Sequence, residues 1–285
     1  MALTTDRPVT AHQHRMAQYG ERPAVSSAVA VAVTALIGFA VTCWLALFTA
    51  RGQQYDETAR QVLASTSSDT NTQLVELLQR ISVVSAGIAL AALLVVALVR
   101  GRLRVALAAA VLVAGANVST ELLKHYVLDR PDLGVGTTSN SLPSGHTTVV
   151  FSLVLAAVLV APRALRWLVA LAGAGVGALA GLATVIAGWH RPADVIAAML
   201  VTVIWAAVVS AVVAGRPRDG RLGHSGIFPA LLGAAVAAIG LIVYGFGWSS
   251  SADASKVIPF TAAVVAAVAG IGVGGYSRLV SRTSN

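Results

Sequence analysis

Apolar residues gather in long blocks along this chain, separated by short polar segments. The blocks cover about residues 24–50, 81–99, 105–123, 145–161, 167–187, 193–214, 227–247 and 257–276. A helix crossing a hydrocarbon core about 30 Å thick needs about 20 apolar residues, so the pattern predicts eight spans. The first block follows a polar stretch containing Arg7, Arg15 and Arg22. It is longer than the ~7–15 apolar residues of a cleavable signal, which predicts a retained first span. Little chain remains for a separate soluble domain. Any chemistry must therefore be done by loops and helix ends.

Composition agrees with that reading. Of 285 residues, 56% are hydrophobic and 11% charged, against roughly 25% charged in soluble domains. The net charge of +8 would by itself allow a nucleic-acid partner. Its distribution excludes one: with the N-terminus cytoplasmic, 13 of the 20 Lys and Arg fall on the inner side, in segments such as RGRLR, PRALR and RPRDGR. That is the positive-inside signature of membrane topology. An even number of spans puts both termini in the cytoplasm. Cys43 is the single cysteine, so no internal disulfide can form.

Three outer connections follow, at 51–80, 124–144 and 188–192. In the first, TNTQLVELLQRIS, after Asp69, reads either as an amphipathic segment on the outer leaflet or as an early start of the second span. Within the fifth block, Gly173, Gly177 and Gly181 stand four apart. This spacing lets helices approach closely in lipid, and packing is their expected role.

Polar, ionisable residues cluster at the outer ends. Glu121–Asp132 (ELLKHYVLDRPD) closes the third span, Pro143-Ser144-Gly145-His146 opens the fourth, and Gly188-Trp189-His190-Arg191-Pro192-Ala193-Asp194 joins the fifth to the sixth. Ser144 suits an N-cap, leaving Gly145 and His146 in a first turn with unpaired N–H groups. A helix start of this kind binds anions. Pro192 suits a first helical turn, with His190 just outside it and Asp194 just inside. A carboxylate there can hold one imidazole nitrogen and leave the other nucleophilic. Lys124 and Arg130 supply the positive charge that a transferring phosphoryl group needs. Two histidines in these settings fit a two-step phosphohydrolase, with His190 attacking phosphorus. His146 would protonate the leaving oxygen and then activate water.

Together these motifs resemble the type 2 phosphatidic acid phosphatase (PAP2) superfamily. Lys124…Arg130-Pro131, Pro143-Ser144-Gly145-His146 and His190…Asp194 stand in the family's order, over roughly residues 81–214. The resemblance implies an all-α polytopic bundle with a six-span catalytic core at 24–214. Outside it lie a cytoplasmic segment at 1–23, two additional C-terminal spans within 227–276 and a cytoplasmic tail at 277–285. It also implies a phosphatase that uses a phosphohistidine intermediate and neither metal nor cofactor. The substrate would be a lipid phosphate or diphosphate, prenyl or glycerolipid, met at the outer face of the plasma membrane.

The chain departs from the family pattern twice. Five residues, not six, separate Lys124 from Arg130. The third motif's Arg, expected six positions before His190, is Thr184, and Ala183 replaces the usual preceding Ser. Arg191 is the candidate to replace that cation. Two other readings stand beside hydrolysis: a phosphotransferase of the same mechanism, and a binding or transport protein that has lost catalysis. A zinc site built from His146, His190 and Asp194 would suit that metal's ligands, but it would set Lys124 and Arg130 against a dication. Glu121 is expected to pair with Lys124.

Overall fold

The computed structural model describes residues 11–65, 76, 83–213 and 253–283, and side chains from residue 25 onward to 281. The expected seventh span at 227–247, the amphipathic stretch at 70–82 apart from Glu76, and the loop at 216–221 lie outside the described residues.

Among the described residues helices are the only regular elements, with no strand. In chain order the helices are α1 (Ala11–Phe48), α2 (Ala50–Ser65), α3 (Val83–Val99), α4 (Leu103–Leu122) and α5 (Gly145–Val160). They continue with α6 (Arg166–Ile186), α7 (Pro192–Val213) and α8 (Ala254–Thr283). A π turn at Leu123–Val127 extends α4. The stretches Val25–Phe48, Leu103–Val127, Arg166–Ile186, Pro192–Val213 and Ala254–Ser281 are long and apolar enough to cross a membrane, and α3 and α5 are shorter apolar helices. This is a membrane protein built as a polytopic helical bundle.

The most enclosed helix is α7, with 67% of its apolar window buried against 33–44% for the other four. It packs against α1, α4, α5 and α8. Large apolar side chains on the outer helices face outward, among them Leu36, Leu107, Leu171 and Leu179, as expected where the surroundings are hydrocarbon. The glycine stripe of α6 lies in contact seams. A Cβ at Gly173 or Gly177 would stand 2.6 Å from Val154 or Phe151 of α5, and one at Gly181 would stand 2.5 Å from Val195 of α7. α8 adds Val265, Val268, Ala269, Val273 and Tyr276 to the same core.

The two ends of α5 differ sharply in chemistry. Its C-terminal carbonyl, Val160 O, accepts hydrogen bonds from Nη1 of both Arg100 and Arg102 at 3.1 Å. Its N-terminus, some 24 Å away for 16 residues at 1.5 Å each, meets the three polar motifs. The polar helix α2 follows α1 directly and covers this same end. Its buried residues include Gln53, Asp56 and Glu57.

Candidate active site

Ser144 is the N-cap of α5. Its Oγ accepts from Thr147 N at 3.3 Å and from Thr147 Oγ1 at 3.0 Å, while its own N–H donates to Asp194 O at 2.9 Å. The Ser144 side chain is therefore spent on the cap, and the first-turn N–H groups left without intrahelical acceptors are those of Gly145 and His146. Lys124 Nζ stands 4.0 Å from Glu121 Oε1, the outer limit of an ion pair. The same Nζ would lie 3.7 Å from a Cβ at Gly145, so the ammonium overhangs the start of α5. Asn140 Nδ2 holds the intervening loop by donating to Lys124 O, Leu128 O and Leu142 O at 3.2, 2.7 and 3.2 Å.

Arg130 comes from that loop and is buried, 6% exposed. Its Nη1 donates to Ala46 O at 3.5 Å, but Nε and Nη2 are buried with no hydrogen-bond partner among the described residues. Burial and the nearby Arg191 cation press its pKa below the usual arginine value. Asp56, Asp194 and Glu57 act the other way without bonding to it, and a buried guanidinium whose nitrogens lack hydrogen-bond partners still costs free energy.

His190 and Asp194 sit one helical turn apart across Pro192. His190 Nδ1 lies 3.2 Å from Asp194 Oδ2. With the carboxylate ionised, Nδ1 carries the hydrogen and Nε2 keeps a lone pair. Asp194 Oδ2 also accepts from Arg191 N at 2.9 Å and from Ser141 Oγ at 2.6 Å. Its orientation is thus fixed from two sides. The ring of His146 stands 5.2 Å from Trp189 and 6.5 Å from His190, centroid to centroid.

Arg191 turns inward and is buried. Nε donates to Glu57 Oε2 at 3.1 Å, Nη1 to Ser141 Oγ at 3.0 Å and Nη2 to Thr137 Oγ1 at 3.2 Å. Thr184 is fully buried and donates to Gly181 O at 2.7 Å, while its own carbonyl accepts from Trp189 N and His190 N. It supports the turn and offers no charge.

The expected residues do gather at one end of the bundle. Sequence reasoning missed what α2 adds to them. Asp56 Oδ1 accepts from Ala193 N at 2.9 Å, capping α7 from a different helix, and Oδ2 is buried with no partner among the described residues. Burial first, then repulsion from Asp194, raises the Asp56 pKa above the usual aspartate range. Hydrogen bonding from Arg60 holds Glu57 down, to about 2. No group of three His, Cys, Asp or Glu among the described residues is arranged to hold a metal.

Comparison with known proteins bears on the same stretch. Residues 102–218 match the family model of the PAP2 superfamily. This stretch is a PAP2 region. No curated protein and no solved structure matches the chain. The PAP2 region runs from α4 through α7 and holds all three motifs, and it supports a phosphatase-type function. Of the described helices, α1, α2, α3 and α8 lie outside it. The missed carboxylates and Arg60 therefore belong to chain beyond the PAP2 match. A signal for them did exist. Gln53, Asp56, Glu57 and Arg60 stand at i, i+3, i+4 and i+7, a polar stripe immediately after the first apolar run.

Proposed function

We propose that this protein is a membrane lipid phosphatase that removes a phosphoryl group from a lipid phosphate or diphosphate through a phosphohistidine. The observation that carries the reading is the pair of imidazoles 6.5 Å apart, one held by a buried carboxylate, together with a guanidinium two of whose nitrogens have no partner among the described residues. Two rings at this separation can flank one phosphoryl group, one nitrogen facing phosphorus for in-line attack and the other within hydrogen-bond reach of the departing oxygen.

In the first step the Nε2 lone pair of His190 forms a bond to phosphorus as the bond to the lipid oxygen breaks. Protonated His146 delivers its proton to that departing oxygen. In the second step neutral His146 takes a proton from water, the resulting oxygen attacks phosphorus, and the P–N bond breaks. Orthophosphate leaves, and both rings return to their starting states. Asp194 stabilises the charge that grows on His190. Lys124, Arg130 and the Gly145 and His146 N–H groups bind the non-bridging oxygens, with Ser144 holding that helix start in place. Arg191 supplies the charge absent at Thr184, since three of its five N–H groups are committed and two remain.

A lipid substrate is supported by the setting of the site at the end of long apolar helices, where a tail can remain in hydrocarbon while its headgroup reaches the histidines. The site is assigned to the extracytoplasmic face of the plasma membrane because the opposite ends of these helices carry the arginine-rich loops.

The test is phosphate release from a panel of prenyl and glycerolipid phosphates by purified protein in EDTA, with His190→Ala as control. Release by the wild type and none by the variant is expected. Transfer to another acceptor without release would indicate a phosphotransferase. Binding with neither outcome would indicate a protein that has lost catalysis.

A further inference from the structure

The polar stripe of α2 bonds to the chain beside Arg130, beside Asp194 and near His190. Gln53 Nε2 donates to Leu47 O at 2.8 Å and to Pro131 O at 3.0 Å, holding the loop that presents Arg130. Asp56 caps Ala193 beside Asp194. Arg60 Nη1 donates to Gly188 O at 3.3 Å, two residues before His190, and its remaining nitrogens pair with Glu57.

Glu57 sits between two cations, Arg60 on its own helix and Arg191 at the start of α7. The loop closes over it at Gly136, where φ is +62° and an added Cβ would lie 3.1 Å from Glu57 Cδ. Only glycine fits that conformation and that distance comfortably. Arg191 is therefore held by α2 at Nε and by the loop residues Ser141 and Thr137 at its two terminal nitrogens. Thr184, the position lacking a cation, closes the end of α6 by accepting from Trp189 N and His190 N and offers no charge in its place.

We propose that Glu57 is a positioning residue for the phosphoryl site. Its carboxylate fixes the Arg191 guanidinium where it replaces the charge missing at Thr184, and α2 is a fourth component of the site beside the three motifs. Without Glu57 the long arginine side chain loses its one ion pair among the described residues. Ser141 and Thr137, both neutral and on a loop, do not restore it. The proposal rests on the phosphatase reading for its catalytic consequence but not for its binding consequence, and the experiment separates the two.

Glu57→Ala, Glu57→Gln, Arg191→Ala and the double variant Glu57→Ala with Arg191→Ala are compared in the full-length protein. The measurements are kcat and KM on a lipid phosphate, orthophosphate affinity by calorimetry, and thermal unfolding. Expected is a loss of about 100-fold in kcat for Glu57→Ala, the scale of a misplaced reacting group, with KM changed much less. Glu57→Gln, which keeps an acceptor oxygen for Arg191, should retain an intermediate rate. The double variant should be no slower than Arg191→Ala alone, because residues acting through one another are not additive.

Losses that multiply in the double variant, or full kcat and orthophosphate affinity in Glu57→Ala, would overturn the proposal. If Glu57→Ala does not fold, Glu57→Gln decides. Weakened orthophosphate binding at an unchanged melting temperature supports the role, and unchanged binding refutes it. A wild type that releases no phosphate from any lipid defeats the phosphatase reading alone. Orthophosphate affinity still reports whether Glu57 and Arg191 act as a unit.

Discussion

Arg130 is the residue at which stability and function pull apart most clearly. Its guanidinium is buried, two of its nitrogens have no partner among the described residues, and a second guanidinium lies close enough to depress its pKa. Asp56, Asp194 and Glu57 offset part of this without bonding to it. Such a group is retained for what it binds. Arg130→Met is therefore expected to unfold at the wild-type temperature or above it, while kcat/KM falls by about 10²–10³, as for loss of one preorganised donor. Orthophosphate should raise the melting temperature of the wild type more than that of the variant, which keeps Lys124 and the helix start but lacks this donor. A variant melting well below the wild type would show that Arg130 holds the loop rather than an anion.

Helices α2 and α7 meet through Asp56, which gives their junction a pH dependence with a definite sign. The Asp56 carboxyl is raised above its unfolded value by burial and by Asp194, with Arg191 and Arg130 acting the other way. The folded state then binds the proton more tightly than the unfolded one. Its contribution is full below the ordinary aspartate value near ~4 and is lost as pH rises through the raised folded value. Asp56→Asn should remove that decline, so its melting temperature should stay flatter than the wild type's between pH 4 and 8. An equal decline in both proteins would assign it to other groups. Glu57, held down to about 2 by Arg60, stays ionised through the whole window and should add no limb to the activity profile there.

Across the whole molecule, the site depends on helices held together by apolar contact. Gly181 marks the point where three of them converge. An added Cβ would meet Val195 of α7 at 2.5 Å, Met199 of α7 at 3.4 Å and Val265 of α8 at 3.6 Å. Val195 is β-branched and stiff, so the collision must be relieved by separating α6 from α7, whose connecting turn carries His190. Gly181→Val should destabilise the protein by roughly 1–3 kcal/mol, the usual range for overpacking, and reduce phosphate release as well. Thermal unfolding together with the release assay tests this. Unchanged values in both would mean that the seam has room the static contacts do not reveal. The same geometry ties α8 to the catalytic end, since Tyr55 of α2 packs edge-on against Phe260 with ring centroids 6.2 Å apart.

The sequence alone determined the properties that depend on local chemistry: the apolar blocks, the Ser144 cap, the first-turn Pro192 and the His190–Asp194 spacing. These follow from hydrocarbon thickness and helix periodicity, which act over a few residues to a few turns. It also exposed the gap at Thr184, because a missing charge is visible without coordinates. It did not disclose that Arg191 points inward, that Arg130 is left with unpartnered nitrogens, or that α2 lays Gln53, Asp56, Glu57 and Arg60 across the site. Those facts depend on which helix end lies against which, over separations such as the 134 positions between Glu57 and Arg191. Only tertiary packing sets such long-range pairings, and a polar stripe in a loop-like segment reads as solvated until another helix is found to cover it.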